Sequence, residues 1–291
     1  MKSFKNYLIE STPVHKSITQ SMFNKFAQGE YKNNIKHTFD QGEILYRGTR
    51  DEKLIHNAIS LYGFNDTERK SANTNNIYNT LVSSDMLESW QAYPKRNKSF
   101  ICTNNATYAS GYGTVMCVIP PDNTKIGLCP DFDFWYSFKS VKNLGFDAMD
   151  DFNSILALFV DIVLNDNSVN DLGSKNAEYI KNELLKCAAM ISKLGKEGFL
   201  ERVQKELSAI DDVWGHNALL LKLTQAIIKH GSKLDFIDFL NDILSPQAND
   251  FRVIDYTQID SGERRELWFS GNALFISDYD EFKSMYQAST K

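Results

Sequence analysis

The chain has 291 residues, of which 42% are hydrophobic and 24% charged, with only 6 Pro and 15 Gly. This is the composition of a globular protein, and it excludes collagen-like, mucin-like and wholly disordered chains. A formal charge of −5 argues against general nucleic-acid binding, which needs a net basic surface to neutralise phosphates.

No apolar run approaches the ~20 residues that a membrane-spanning helix requires, and the N-terminus lacks the apolar stretch of a secretory signal. The cysteines Cys102, Cys117, Cys129 and Cys187 form no C-x-x-C pair, and His15, His37, His56, His216 and His230 are scattered. The spacing therefore points to no metal site and to four reduced thiols.

The first ten residues, MKSFKNYLIE, form a short basic amphipathic stretch that breaks at Ser11-Thr12-Pro13. From 17 to 39 the pattern is helical, with Met22, Phe23 and Phe26 on one face and a break at Gly29. Gly42-Glu43 opens a strand, Ile44-Leu45-Tyr46, that ends in Arg47-Gly48. Residues 51–62 read as a helix (Leu54, Ile55, Ala58, Ile59, Leu61) stopping at Gly63. The Asn-, Ser- and Thr-rich segment 65–80 reads as a loop, having many local hydrogen-bonding options and little apolar surface. Lys95-Arg96-Asn97-Lys98, beside Trp90 and Tyr93, reads as a solvated basic loop.

A strand follows at Ser99-Phe100-Ile101-Cys102-Thr103, then an Ala/Gly-rich helical piece from Ala106 to Gly113. The next strand, Thr114-Val115-Met116-Cys117-Val118-Ile119, is nearly continuously apolar, which suits burial on both faces. From 149 to 246 apolar residues recur at helical spacing over about five helices, with no cluster of catalytic residue types. Strands resume at Phe251-Arg252-Val253-Ile254, at Glu266-Leu267-Trp268-Phe269, and at Ala273-Leu274-Phe275-Ile276. Strands at both ends with helices between them predict an α+β protein, a mixed β core carrying an all-helical insertion. The expected divisions are 1–10, 11–148, 149–246 and 247–291.

Three separated segments carry the chemistry. They are Leu45-Tyr46-Arg47-Gly48; Phe100-Ile101-Cys102-Thr103-Asn104, followed by Tyr108 and Tyr112; and Glu263-Arg264-Arg265-Glu266-Leu267-Trp268-Phe269. In this order they resemble the Arg–Ser–Glu class of mono-ADP-ribosyltransferases, over residues 43–130 and 250–278. That likeness implies an ADP-ribosyltransferase-like core and NAD as substrate. Arg47, beside Gly48, would match the Arg that grips NAD phosphate. Cys102-Thr103-Asn104 would match the Ser-Thr-Ser triplet, and Glu266 the catalytic Glu.

The chemistry is coherent. Breaking the nicotinamide–ribose bond builds positive charge on the ribose, which a carboxylate stabilises, and a guanidinium binds pyrophosphate through parallel bonds. Tyr108 or Tyr112 would stack on the nicotinamide ring. Two departures stand out. A thiol replaces the first hydroxyl of the triplet. Arg264 stands two residues before Glu266, where arginine-modifying transferases carry a second Glu, so Glu263 and Arg264 are the residues left to position an acceptor.

The opening residues add a second likeness. Met1-Lys2, Phe4 and the closing Leu8-Ile9-Glu10 before Ser11 resemble the capsid-targeting leader of T-even-type phage internal proteins, cut after a Leu/Ile-x-Glu triplet. This implies processing between Glu10 and Ser11, packaging in the phage capsid, and delivery into the host cytoplasm. The combined expectation is a virion-packaged enzyme that transfers ADP-ribose from NAD to a host macromolecule, without metal. The alternative is a non-enzymatic inhibitor of a host defence protein on the same scaffold.

Overall fold

The computed structural model describes residues 19–63, 76–83, 86–165, 172–208, 216–231, 233–260 and 262–289. Glu10 and Ser11, and most of the expected loop at 65–80, lie outside them.

Helix α1 (Gln20–Ala27) starts where the Thr19 hydroxyl accepts from the Met22 N–H at 3.3 Å. Helix α2 (Lys32–Gln41) ends at Gly42, whose φ of +74° is the left-handed stop that glycine supplies. Strand β1 (Leu45–Thr49) follows, then a single turn, α3 (Glu52–Ile55), capped by Asp51. The expected helix does not continue. Ile59–Gly63 is strand β2, because Ile59, Leu61 and their neighbours pair in register with a later strand at the sheet edge. Local helical spacing was overridden by that pairing.

Ile77–Ser83 is helix α4 rather than the end of a loop, and every residue of it is buried except Asn79. Then come β3 (Ser99–Thr103), α5 (Ala106–Ser110), β4 (Thr114–Ile119), β5 (Ile126–Leu128) and α6 (Lys139–Asn143). The helical block is α7 (Met149–Leu164), α8 (Ala177–Leu207), α9 (His216–Lys229) and α10 (Phe236–Ile243). Gly195, at φ +69°, breaks α8 into two helical segments, so the block holds five. Strands β6 (Arg252–Ile254), β7 (Glu266–Ser270) and β8 (Asn272–Ile276) and helix α11 (Tyr279–Ser289) close the chain.

The eight strands form one sheet in the order β2-β8-β4-β1-β3-β7-β5-β6, with antiparallel pairing throughout the described ladders. The protein is thus mixed α and β. The sheet is not flat. Strands β3 and β8 are separated by β1 and β4, roughly 14 Å across a flat sheet, yet the Phe100 and Phe275 rings have centroids 5.2 Å apart. Tyr62 on edge strand β2 also reaches Phe100, at 5.9 Å. The two halves therefore fold toward each other around a core of Leu45, Phe100, Met116, Val118, Leu267 and Phe269. The bend falls at β1 and β3, which are joined by one registered pair, Tyr46 opposite Thr103.

Helices α7 to α10 cover the outside of the β3–β7 half. Their core is continuous with Ile77, Leu81, Leu87 and Trp90, with Phe134 and Phe138, and with Trp268 on β7, so the block is not walled off at 149 and 246. Trp90 donates to the Leu244 carbonyl at 2.8 Å and Trp268 to the Pro94 carbonyl at 2.7 Å. Each buried indole N–H is thereby satisfied. No helix among the described residues is long and apolar enough to cross a membrane.

Gly127 on β5 stands opposite Trp268, and an added Cβ would lie 2.2 Å from the indole. Gly127→Ala should therefore cost about 1–3 kcal/mol by overpacking, read as a lower urea midpoint with unchanged slope. An unaltered midpoint would show that Trp268 is not seated on that glycine.

Candidate functional site

Strand register decides which side chains meet. Thr103 lies opposite Glu266 across β3 and β7, and Tyr46 lies opposite Thr103 across β1 and β3. Directly opposed residues share a face, so Tyr46, Thr103 and Glu266 form one row. Arg47 and Cys102 are each one residue removed and belong to the other face. Cys102 is buried there in the core between the half-sheets. The Arg47 guanidinium, through Nη1, donates to the Ile101 carbonyl at 2.7 Å, bridging the place where β3 parts from β1.

Glu266 is 7% exposed. Its Oε1 accepts from Arg96 Nε at 3.1 Å and Nη2 at 2.7 Å, while Oε2 receives a long contact of 3.5 Å from the Phe134 N–H. Arg96 donates its third bond to the Tyr78 hydroxyl at 3.1 Å and lies over the Phe134 ring at 4.4 Å. Burial works against the Arg96 charge, but Glu266 beside it outweighs that and holds the guanidinium pKa above its usual value.

This overturns the reading of 95–98 as a solvated loop. Arg96–Lys98 is a 3-10 turn that points Arg96 and Asn97 inward and leaves Lys95 outside. Nothing in the order Lys-Arg-Asn-Lys announces which cation turns in, because the choice belongs to the turn geometry.

The segment before Glu266 is pinned by Asn104. Its Nδ2 donates to the carbonyls of Asp260 and Glu263, each at 2.7 Å, and its Oδ1 accepts from the Arg265 N–H at 2.8 Å. Glu263 is exposed and pairs with Arg265. Arg264 extends over the aromatic residues, its guanidinium carbon 4.3 Å from the ring centroids of both Tyr108 and Phe132. Tyr108 sits in the first turn of α5, whose N-cap is Asn105. Its hydroxyl meets Tyr112 Oη at 3.2 Å and donates to Asp133 at 3.4 Å. Burial, then the Tyr112 contact and the nearby Asp133 charge, raise the Tyr108 pKa.

Gly48 has a packing role. A Cβ there would fall 2.0 Å from the Ala109 carbonyl oxygen and 2.8 Å from Tyr112 Cβ, so only glycine lets α5 lie on β1. The structure thus brings Thr103, Tyr108, Tyr112, Arg264 and Glu266 together and sets Arg47 and Cys102 on the opposite face. Sequence reasoning missed Arg96, Phe132, Asp133 and Phe134.

The cysteines are all buried and unbridged. At the junction of α9 and α10, His230 Nε2 lies 3.5 Å from Asp238 Oδ2 and 3.4 Å from Asp242 Oδ2, a trio able to hold a cation. The linear spacing does not reveal it because a turn separates the histidine from the helix carrying both carboxylates.

No protein-family model, curated protein or solved structure matches the chain.

The Arg96–Glu266 pair is nearly dehydrated, with side chains 11% and 10% exposed. Glu266→Leu alone leaves a buried cation unpaired and should cost about 3–5 kcal/mol, whereas Arg96→Met with Glu266→Leu should be close to neutral. Urea unfolding of the two variants tests this; equal losses would mean that the pair is not coupled.

Proposed function

We propose that this protein is a phage-encoded, virion-packaged protein built on an ADP-ribosyltransferase-like plan, and that it acts in the host by binding a macromolecule rather than by consuming NAD. The observation that carries this reading is the state of Glu266. A carboxylate that stabilises a ribosyl cation must face the substrate. Glu266 instead spends one oxygen on two bonds to Arg96 and is 7% exposed. Arg47, the residue that would anchor pyrophosphate, starts from the other face and binds the Ile101 carbonyl.

Support for the plan itself comes from topology. The three motif segments, far apart in the chain, lie on the neighbouring strands β1, β3 and β7. The virion assignment rests on residues 1–11, and the target class, a host defence protein, on the displaced Glu-x-Glu motif, with Arg264 two residues before Glu266.

A second reading, an active mono-ADP-ribosyltransferase, is favoured by the register of Thr103 against Glu266, which places a hydroxyl beside the carboxylate. It requires Arg96 to release Glu266 when NAD binds.

The full chain incubated with NAD labelled in the nicotinamide ring should release no nicotinamide above the buffer rate. Release that disappears in Glu266→Gln would overturn the binding reading in favour of the transferase. Mass spectrometry of the protein from purified virions should find Ser11 as the first residue; an intact Met1 there would remove the leader and the argument for processing.

A further inference from the structure

The position of Arg264 points beyond the locked carboxylate. Its guanidinium is a flat cation held 4.3 Å from the centroid of Tyr108 on one element and 4.3 Å from that of Phe132 on another. The two rings come from different parts of the chain, α5 and the segment before the 3-10 turn Phe134–Tyr136. Each is fixed independently of Arg264. Asn105 caps the helix under Tyr108, whose hydroxyl donates to Asp133, and Asp133 in turn caps that turn by accepting from the Trp135 N–H at 2.8 Å. The Phe132 ring leans on Tyr136, with centroids 5.4 Å apart. Arg264, by contrast, is exposed and is held near the rings by the Asn104 staple on its backbone neighbours.

The geometry points to a slot, walled by Tyr108 and Phe132, that accepts a planar positively charged ring and that Arg264 occupies as a built-in plug. An aromatic face attracts a flat cation electrostatically whether the cation is a guanidinium or a pyridinium, and both stack at similar separations. The ring of chemical interest is the nicotinamide of oxidised NAD, a pyridinium cation; that identity rests on the ADP-ribosyltransferase-like reading above, whereas the slot and its plug do not. Arg264 therefore competes with such a ligand for the same two faces. With Arg264 in place the site closes twice, once over the ring and once, through Arg96, over the carboxylate.

The test measures binding of 1-methylnicotinamide, a pyridinium cation without ribose or phosphate, to the full chain by calorimetry. The wild type should bind weakly, Arg264→Ala about two- to fivefold more tightly because the competing cation is gone, and Arg264→Ala with Phe132→Leu should lose the gain. Arg264→Lys, with a charge but no plane, should fall between wild type and Arg264→Ala. A surface position such as 264 tolerates truncation, and an unchanged unfolding midpoint checks that.

If Arg264→Ala binds the pyridinium more tightly but shows no gain for NAD, the plug stands and the NAD reading falls. If Arg264→Ala binds 1-methylnicotinamide no better than wild type, the plug is overturned, whatever the wild type does with NAD.

Discussion

The salt bridge between Arg96 and Glu266 is the interaction on which this region of the molecule depends. Two opposite charges withdrawn from water are tolerated only when their hydrogen-bonding capacity is met. Arg96 meets it with Glu266 and Tyr78, and covers its remaining face with Phe134. Those partners come from β7, from α4 and from the segment between β5 and α6. One guanidinium thus links the sheet to the helical layer. The surrounding aromatic residues, Trp90, Phe134, Phe138, Phe251 and Trp268, exclude water from the pair and give it its strength.

The elements that could be read from the chain are those whose pattern and environment agree. Ser99–Thr103 and Thr114–Ile119 are strands where the sequence predicts them, because β-branched and aromatic residues there fall in the middle of the sheet. The helical block is likewise visible, since its apolar stripes recur over many turns. Ile59–Gly63 was not legible as a strand: its apolar residues also fit a helix, and only pairing with β8, more than 200 residues away, decides between them. Ile77–Ser83 was hidden for a different reason. The Asn- and Thr-rich sequence leading into it suggests a loop, but Thr80 and Ser83 are buried and Tyr78 supplies a hydroxyl to Arg96.

The candidate site shows the same division. Motif order brought β1, β3 and β7 to notice, and these strands are neighbours. Motif spelling could not give the pleat. Whether Arg47 and Glu266 face each other depends on a one-residue offset in the register of Tyr46 against Thr103, and such an offset reverses every side chain on a strand. Nor could it give Arg96, whose inward turn is set by a 3-10 segment, or Phe132, which matters only because α5 places Tyr108 across from it.

The two arginines that fill this region are not equivalent, and the difference orders their behaviour. Arg96 is enclosed, and removing its partner leaves a charge stranded at a cost of about 3–5 kcal/mol. Arg264 is exposed, and a cation over aromatic rings at a solvent-facing position contributes on the order of 0.5–1 kcal/mol. Thermal motion therefore withdraws Arg264 from its rings far more often than it separates Arg96 from Glu266. A ligand arriving at this face meets a slot that opens readily and a carboxylate that does not. On the proposed reading, a flat cationic ring is held there while the bond beside it is left intact. The proposed preference for recognition over turnover rests on that asymmetry between one exposed and one buried guanidinium.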